Sequence, residues 1–244
     1  MTQPVAPSTY YDPRLSFPLE VAEFGMATLV FDVPAEVAGA LVPGTAFELV
    51  RTRAGAAQFI LSVGDYRRTQ WGSCHQLTFA ILVRPADDPA GTPGLFVHRT
   101  PVDDLLTCAI GHGSMDYPVS IELIEIDYSP DLVSVSLVVG VQPTLELRIP
   151  RVPAKSLGGR LRTIAYSYRN GVPYAMPVDT DLSSAQHVDP ASIGITLGSG
   201  PVADELRSLG LPKAPSSCIW GEGLTATFHE GRPVRLFPDG PSDT

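Results

Sequence analysis

Between Leu132 and Ile149 the chain reads LVSVSLVVGVQPTLELRI. Val133, Val135, Leu137 and Val139 alternate with Ser134 and Ser136, and Leu145, Leu147 and Ile149 alternate with Glu146 and Arg148. Successive strand side chains point to opposite faces, so this period of two predicts strands with one buried face, over Leu132–Val139 and Thr144–Ile149. Ser120–Tyr128 precedes them in the same style. Further on, Arg162–Arg169 alternates with Ile164, Tyr166 and Tyr168 on one side, and Asn170-Gly171 suits a type I′ hairpin turn into Val172–Val178. Ile193–Leu197 and Leu224–Phe228 complete that half. Towards the N-terminus, Met26–Val33, Ala46–Thr52, Ala57–Val63 and a long pair of runs over Tyr66–Val83 read the same way. The 24 prolines and 22 glycines, spread along the chain, punctuate these short runs as in a β-rich domain.

Helices are few. Thr100-Pro101-Val102-Asp103 reads as an N-cap, a first-turn proline and an acidic partner, with Gly111 as the stop; such a helix would bury Val102, Leu105, Leu106 and Ala109. Ser199-Gly200-Pro201 opens a second, ending at Gly210, with Val202, Leu206 and Leu209 on one face. A shorter one is expected over Pro34–Leu41. A sheet with this many strands avoids open edges by curling up. The expected fold is therefore a β-rich α+β domain spanning residues 1–244. It is a mostly antiparallel closed β-barrel around an apolar pocket, with two or three flanking helices and tails at about 1–15 and 237–244.

Composition narrows function. Hydrophobic residues make up 44% of the 244, which is ordinary for a globular chain. Seventeen Lys and Arg against 26 Asp and Glu leave a net charge of −9, the wrong sign for tracking phosphates, so no nucleic-acid partner is expected. No apolar run approaches the roughly 18 residues of a membrane span, and the opening MTQPVAPSTYYDPRLSFPLE lacks a secretory pattern, which makes the chain cytoplasmic by default. Cys74, Cys108 and Cys218 are odd in number, widely spaced and without a C-x-x-C pair, which argues against disulfides and a zinc ribbon. No H-x-H or H-x-x-x-H spacing occurs, so neither a metal nor any other cofactor is expected. The only lysines are Lys155 and Lys213.

The segment TCAIGHGSMDYPVS (Thr107–Ser120), running into Ile121–Asp127, resembles the signature of the acetoacetate decarboxylase family. There a helix ends in Gly-Arg-Glu, and Tyr-Pro-Lys-Lys follows at the head of a strand. VPAEVAGALVPG (Val33–Gly44) is similar to that family's N-terminal strand–helix element, and LGSGPVADELRSLGLP (Leu197–Pro212) to its C-terminal helix. The resemblance spans roughly residues 20–236. It implies a cone-like antiparallel barrel around an apolar pocket, a homo-oligomer, and decarboxylation of a β-keto acid through a lysine Schiff base.

Residue by residue, that chemistry fails here. The two family lysines fall on Val119 and Ser120, the arginine and glutamate of Gly-Arg-Glu on His112 and Gly113, and a second acidic position near Gln76. The family's arginine near the first strand is replaced within Gly25–Ala27. Valine has no lone pair for an imine, and serine offers no protonated-imine electron sink. Lys155 lies in a loop-like stretch and Lys213 follows a helix stop, so both are expected in solvent.

His112, Ser114, Asp116 and Tyr117 bring a base or acid, a hydroxyl, a carboxylate and a phenol into one turn. His112 is the candidate acid/base, Asp116 its orienter, and Tyr117 or Gln76 the donor to a substrate oxygen. The plain alternative makes His112 a C-terminal cap on the helix before it. Either His75 or Gln76 faces the pocket. Together with Ser114, Val119 and Ser120 they form the expected substrate-binding set. His98, His187 and His229 read as structural or surface residues. A Ser114–His112–Asp116 triad is disfavoured, because alternate residues in a tight turn rarely reach that geometry and no G-x-S-x-G elbow occurs.

The function read from these residues is a lysine-independent enzyme acting on a small or medium carbonyl or polyketide-like compound in specialised metabolism. Its chemistry would be proton transfer: cyclisation, dehydration, isomerisation or a C–C lyase step. Two alternatives stand beside it: a non-catalytic small-molecule-binding protein on the same barrel, and a β-keto acid decarboxylase without a Schiff base.

Overall fold

The computed structural model describes residues 16–88, 91–151 and 157–234. Both expected tails fall wholly outside that range, and so does Lys155. Fifteen strands and three short α-helices make up the described chain.

Seven strands close into a ring of mixed direction. In order round the ring they are β14 (Ser217–Phe228), β1 (Leu19–Val33), β3 (Ala57–Thr69), β4 (Cys74–Pro85), β5 (Gly94–Val102), β10 (Arg160–Arg169) and β11 (Val172–Asp181), which pairs back onto β14. All neighbours are antiparallel except β5 and β10, where Ala165 and Tyr166 pair in parallel with Leu95 and Phe96. β1 serves two neighbours along 15 residues and shifts register between Val21 and Met26. Irregularities of this kind let a long strand bend round a barrel corner. β2 (Phe47–Leu49), β6 (Val119–Ile121), β12 (Ala185–Val188) and β15 (Arg232–Pro233) pair onto the ring from outside it. A second, four-stranded sheet runs β13 (Gly194–Leu197), β9 (Gln142–Pro150), β8 (Leu132–Val139) and β7 (Leu123–Tyr128).

The alternation legible in the sequence is what joins these layers. Val133, Val135, Leu137, Leu145, Leu147 and Ile149 are all buried, in one cluster with Leu29, Phe31, Phe59, Leu61, Phe79 and Ile81 of the ring strands. A second cluster takes the opposite face of the ring. Val97 belongs to it while the adjacent Phe96 belongs to the first, and Ala165 packs on it while Tyr166 does not. Leu19, Val102, Ile110, Met115, Tyr117, Val119 and Met176 complete this inner cluster.

Helices α1 (Ala35–Ala40) and α3 (Pro201–Ser208) sit where the sequence places them, and Val202, Leu206 and Leu209 of the α3 region are buried. The segment before the signature differs. Thr100–Val102 is the end of β5, a strand absent from the sequence reading, and α2 covers only Leu105–Ile110. Its N-cap is Asp104, whose carboxylate accepts from the Thr107 N–H at 2.7 Å. Leu105 is 72% exposed rather than buried. Gly111 does not stop the helix. A π-helical turn over Gly111–Met115 continues it, and Asp116 ends it in the left-handed conformation at φ 51°. The reason is steric: a Cβ on Gly111 would sit 2.4 Å from Val119 Cγ2, so the glycine lets the turn close onto β6.

Candidate functional site

The expected residues do not converge; the π turn deals them to three sides. His112 and Asp116 face an open cleft of about 580 Å³, walled by Ala40 of α1 and the Leu41 that caps it, Pro43, Phe96 and His98 of β5, Pro118, and Ser167 and Tyr168 of β10. Ser114 faces a different depression, of about 350 Å³, with Phe17, Arg169 and Tyr174. Tyr117, Gln76 and Val119 line an enclosed space inside the ring of only about 20 Å³. Tyr117 also forms part of the cleft's wall, so it stands between the cleft and the interior. Ser120 is half-buried in β6, opposite Pro101.

In the cleft, His112 is exposed and has no hydrogen-bond partner among the described residues. Asp116 does not orient it. The carboxylate is taken by Arg169, whose Nε lies 2.5 Å away and whose Nη1 donates to the Tyr174 hydroxyl at 3.0 Å. Tyr117 does not reach the cleft with its hydroxyl either: that group meets Met176 Sδ at 3.5 Å, and burial pushes its pKa far above the usual phenol range. A phenol so buried stays protonated at neutral pH. His98 lies on the same wall with its Nε2 3.2 Å from Glu205 Oε1, close to but not aligned for a hydrogen bond, and Arg99 holds the other oxygen of that carboxylate at 3.1 Å.

His75 and Gln76 part company as strand parity requires. Gln76 points inward, and its amide nitrogen donates to Thr78 Oγ1 at 3.0 Å. His75 points the other way, into a charged network that the sequence did not reveal. Its Nδ1 lies 2.7 Å from Asp103 Oδ2 and its Nε2 lies 3.5 Å from Asp65 Oδ1. Asp65 Oδ2 also accepts from Tyr128 of the second sheet at 2.6 Å and from Arg67 Nε at 2.8 Å. Burial alone would raise the Asp65 carboxyl, but hydrogen bonds from His75, Tyr128 and Arg67 outweigh it and bring the pKa down to about 2. The His75 pKa is raised, by its hydrogen bond to Asp65 against the effect of burial, with Asp103 adding to it. The network borders a cleft of about 300 Å³. The β3–β4 register, which sets Asp65 opposite His75, would have exposed it; Asp103 was hidden by its reading as a helix-capping residue.

Nucleophiles are scarce. Burial pushes the Cys74 thiol up to about 11 and Cys218 to about 12, and Cys108 is also raised by burial. Lys213 is exposed and donates to the Asp32 carbonyl at the far end of β1, away from Val119. Among the described residues no three His, Cys, Asp or Glu side chains are grouped so as to hold a metal ion, and no helix is long and apolar enough to cross a membrane.

No protein-family model matches the sequence, and comparison with curated proteins finds no match. Solved structures do match. An acetoacetate decarboxylase from Legionella pneumophila subsp. pneumophila str. Philadelphia 1 superposes with a TM-score of 0.66 at 13% identity, covering 91% of this chain and 89% of its own. An acetoacetate decarboxylase-like enzyme from Sphingomonas wittichii RW1 gives 0.61 at 12% identity, covering 96% and 99%. The enduracididine biosynthesis enzyme MppR, complexed with the condensation product of pyruvate and imidazole 4-carboxaldehyde, gives 0.58 at 14% identity, covering 97% of each chain. The closed ring, the helix–turn–strand element at 105–121 and these superpositions agree: the chain has the acetoacetate decarboxylase-like fold.

Proposed function

We propose that this chain is an enzyme that acts on a small or medium carbonyl compound by proton transfer without an imine, with the outer cleft as its binding site and His112 as the acid/base. The observation that carries this reading is the exposed imidazole of His112, without a partner among the described residues, on a mostly apolar cleft of about 580 Å³. That volume lies within the range of roughly 300–1,000 Å³ typical of small-molecule sites. Phe96, Leu41, Pro43 and the ring of Tyr168 would hold the apolar body of a substrate. Tyr168 is fixed for that task by its hydroxyl, which donates to the Pro43 carbonyl at 2.8 Å. His98, beside Glu205, would hold a substrate oxygen while His112 takes a proton from, or gives one to, the adjacent carbon. Imidazole suits this work near neutral pH. Cyclisation, dehydration, isomerisation and C–C cleavage all share such a step. MppR, on the same fold, is complexed with a condensation product of pyruvate and an aldehyde, which makes keto acids with and without aldehydes the first compounds to try.

The test is incubation with a panel of α- and β-keto acids, alone and with aldehydes, followed by mass spectrometry of the products. Wild type and Lys213→Ala should form the same product, and His112→Ala, at an exposed position, should fold normally and lose at least a hundredfold in rate. Equal rates in wild type and His112→Ala would refute the assignment.

A second reading, a binding protein without turnover, is favoured by one specific observation. Arg169 takes the only carboxylate expected to orient His112. Saturable binding of a keto compound by calorimetry, with the compound recovered unchanged, would select it.

A further inference from the structure

We infer that the enclosed cavity beside Val119 is a binding site for one water molecule, anchored on the hydroxyl of Thr100. The inference is independent of the reaction proposed for the outer cleft. Thr100 is 1% exposed and lines the cavity, yet its Oγ1 has no hydrogen-bond partner among the described residues; only its backbone N–H is engaged, donating to the Pro118 carbonyl at 3.0 Å. The space of about 20 Å³ exceeds the roughly 10–15 Å³ that one water requires, and no carbonyl substrate fits it. An all-apolar cavity of that size stays dry; a buried hydroxyl reverses the balance, because an unpaired polar group inside protein is costly.

The remaining partners line the same cavity. Gln76 lines the cavity, and while its amide nitrogen serves Thr78 its carbonyl oxygen can accept. Thr107 lines it too; its hydroxyl donates to Asp104 at 3.0 Å and retains a lone pair. Thr100 and these two acceptors supply the two to four partners that buried water needs. Trp71, Tyr66 and Tyr117 line it as well, and Trp71 Nε1, buried without a partner among the described residues, is a further donor; Val102, Ile110, Gly111, Met115, Val119 and Phe228 complete the lining.

A high-resolution crystal structure of the full chain should show one isolated peak at hydrogen-bonding distance from Thr100 Oγ1. Thr100→Val, which keeps the shape and removes the hydroxyl, should lose the peak, and Thr100→Ser should keep it. A cavity dry in wild type, or one filled by an organic molecule, overturns the inference. Melting supplies a second reading. Were the hydroxyl dry and unpaired, Thr100→Val would raise the Tm by about 2–4 °C. No rise is expected, and a rise would count against the water.

Discussion

Asp116 Oδ2 lies 2.5 Å from Arg169 Nε, which turns the carboxylate of the signature turn towards β10 and away from His112. A charge-assisted bond of this kind is worth roughly 1.5–3 kcal/mol when buried. Both side chains are partly exposed, at 22% and 36%, so screening reduces it to about 1 kcal/mol. Asp116→Asn keeps a residue that tolerates the left-handed backbone at φ 51° and removes only the charge. The variant should lose about 2–4 °C in Tm and keep its turnover within about threefold. If Asp116 instead oriented His112, turnover would fall by a hundredfold or more, and rate measurements on the pure variant distinguish the two.

The His75 network makes a prediction about pH. A raised folded pKa means that His75 contributes stability in full below its ordinary value of 6.5, and loses it as pH rises through the folded value. Asp65 has the opposite sign. Its contribution is complete above its ordinary 3.8 and disappears as pH falls through about 2. The network should therefore hold the second sheet to the ring most firmly between about pH 4 and 6.5. Urea unfolding of the wild type at pH 5 and pH 8 should show a loss at pH 8 that His75→Ala abolishes. An identical loss in the variant would place the titration elsewhere.

Much of the fold was legible because alternation is a local signal with a long reach. Val133 to Ile149 told which face of β8 and β9 is buried, and Asn170-Gly171 marked the β10–β11 turn, where Asn170 takes φ 50° and Gly171 φ 79°. The site was less legible, because convergence depends on which way a turn winds. Read as a stop, Gly111 suggested a tight loop with His112, Asp116 and Tyr117 aimed at one point. As part of a π turn it rotates successive side chains outward, onto β10 and inward. β5 was missed because Thr100-Pro101 mimics a helix start and because Gly94–Val102 has no clean period of two. Parity did settle one ambiguity: of His75 and Gln76 only one could face inward, and it is Gln76.

Imine chemistry gives a direct test of how far this chain has departed from the chemistry its resemblance implies. Borohydride reduction in the presence of acetoacetate should leave the mass of the wild-type protein unchanged. Val119→Lys should not restore an adduct. With about 20 Å³ available, the longer side chain must displace Met115 or Tyr117, and its ammonium would be desolvated. A loss of about 3 kcal/mol or more is expected in urea unfolding. A stable carbon–nitrogen linkage in wild type, at any lysine, would contradict the imine-free reading.

The contact between Gly111 and Val119 governs where His112 stands, and it can be measured by a double-mutant cycle. The φ of Gly111 is −56°, which any residue can adopt, so the glycine is required by space and not by backbone freedom. Gly111→Ala would set a methyl 2.4 Å from Val119 Cγ2 and should cost about 1–3 kcal/mol, despite the better helix propensity of alanine. Val119→Ala removes the obstructing methyls and should itself cost about 1–3 kcal/mol through the cavity it leaves. Combined, the two changes should cost less than their sum, by a coupling of about 0.5–3 kcal/mol, because each supplies the room or the volume that the other lacks. Urea unfolding of the four proteins provides the numbers. Additivity within about 0.5 kcal/mol would mean that the π turn and β6 are held apart by something other than this pair, and His112 would then owe its position on the cleft to Asp116 and Arg169 instead.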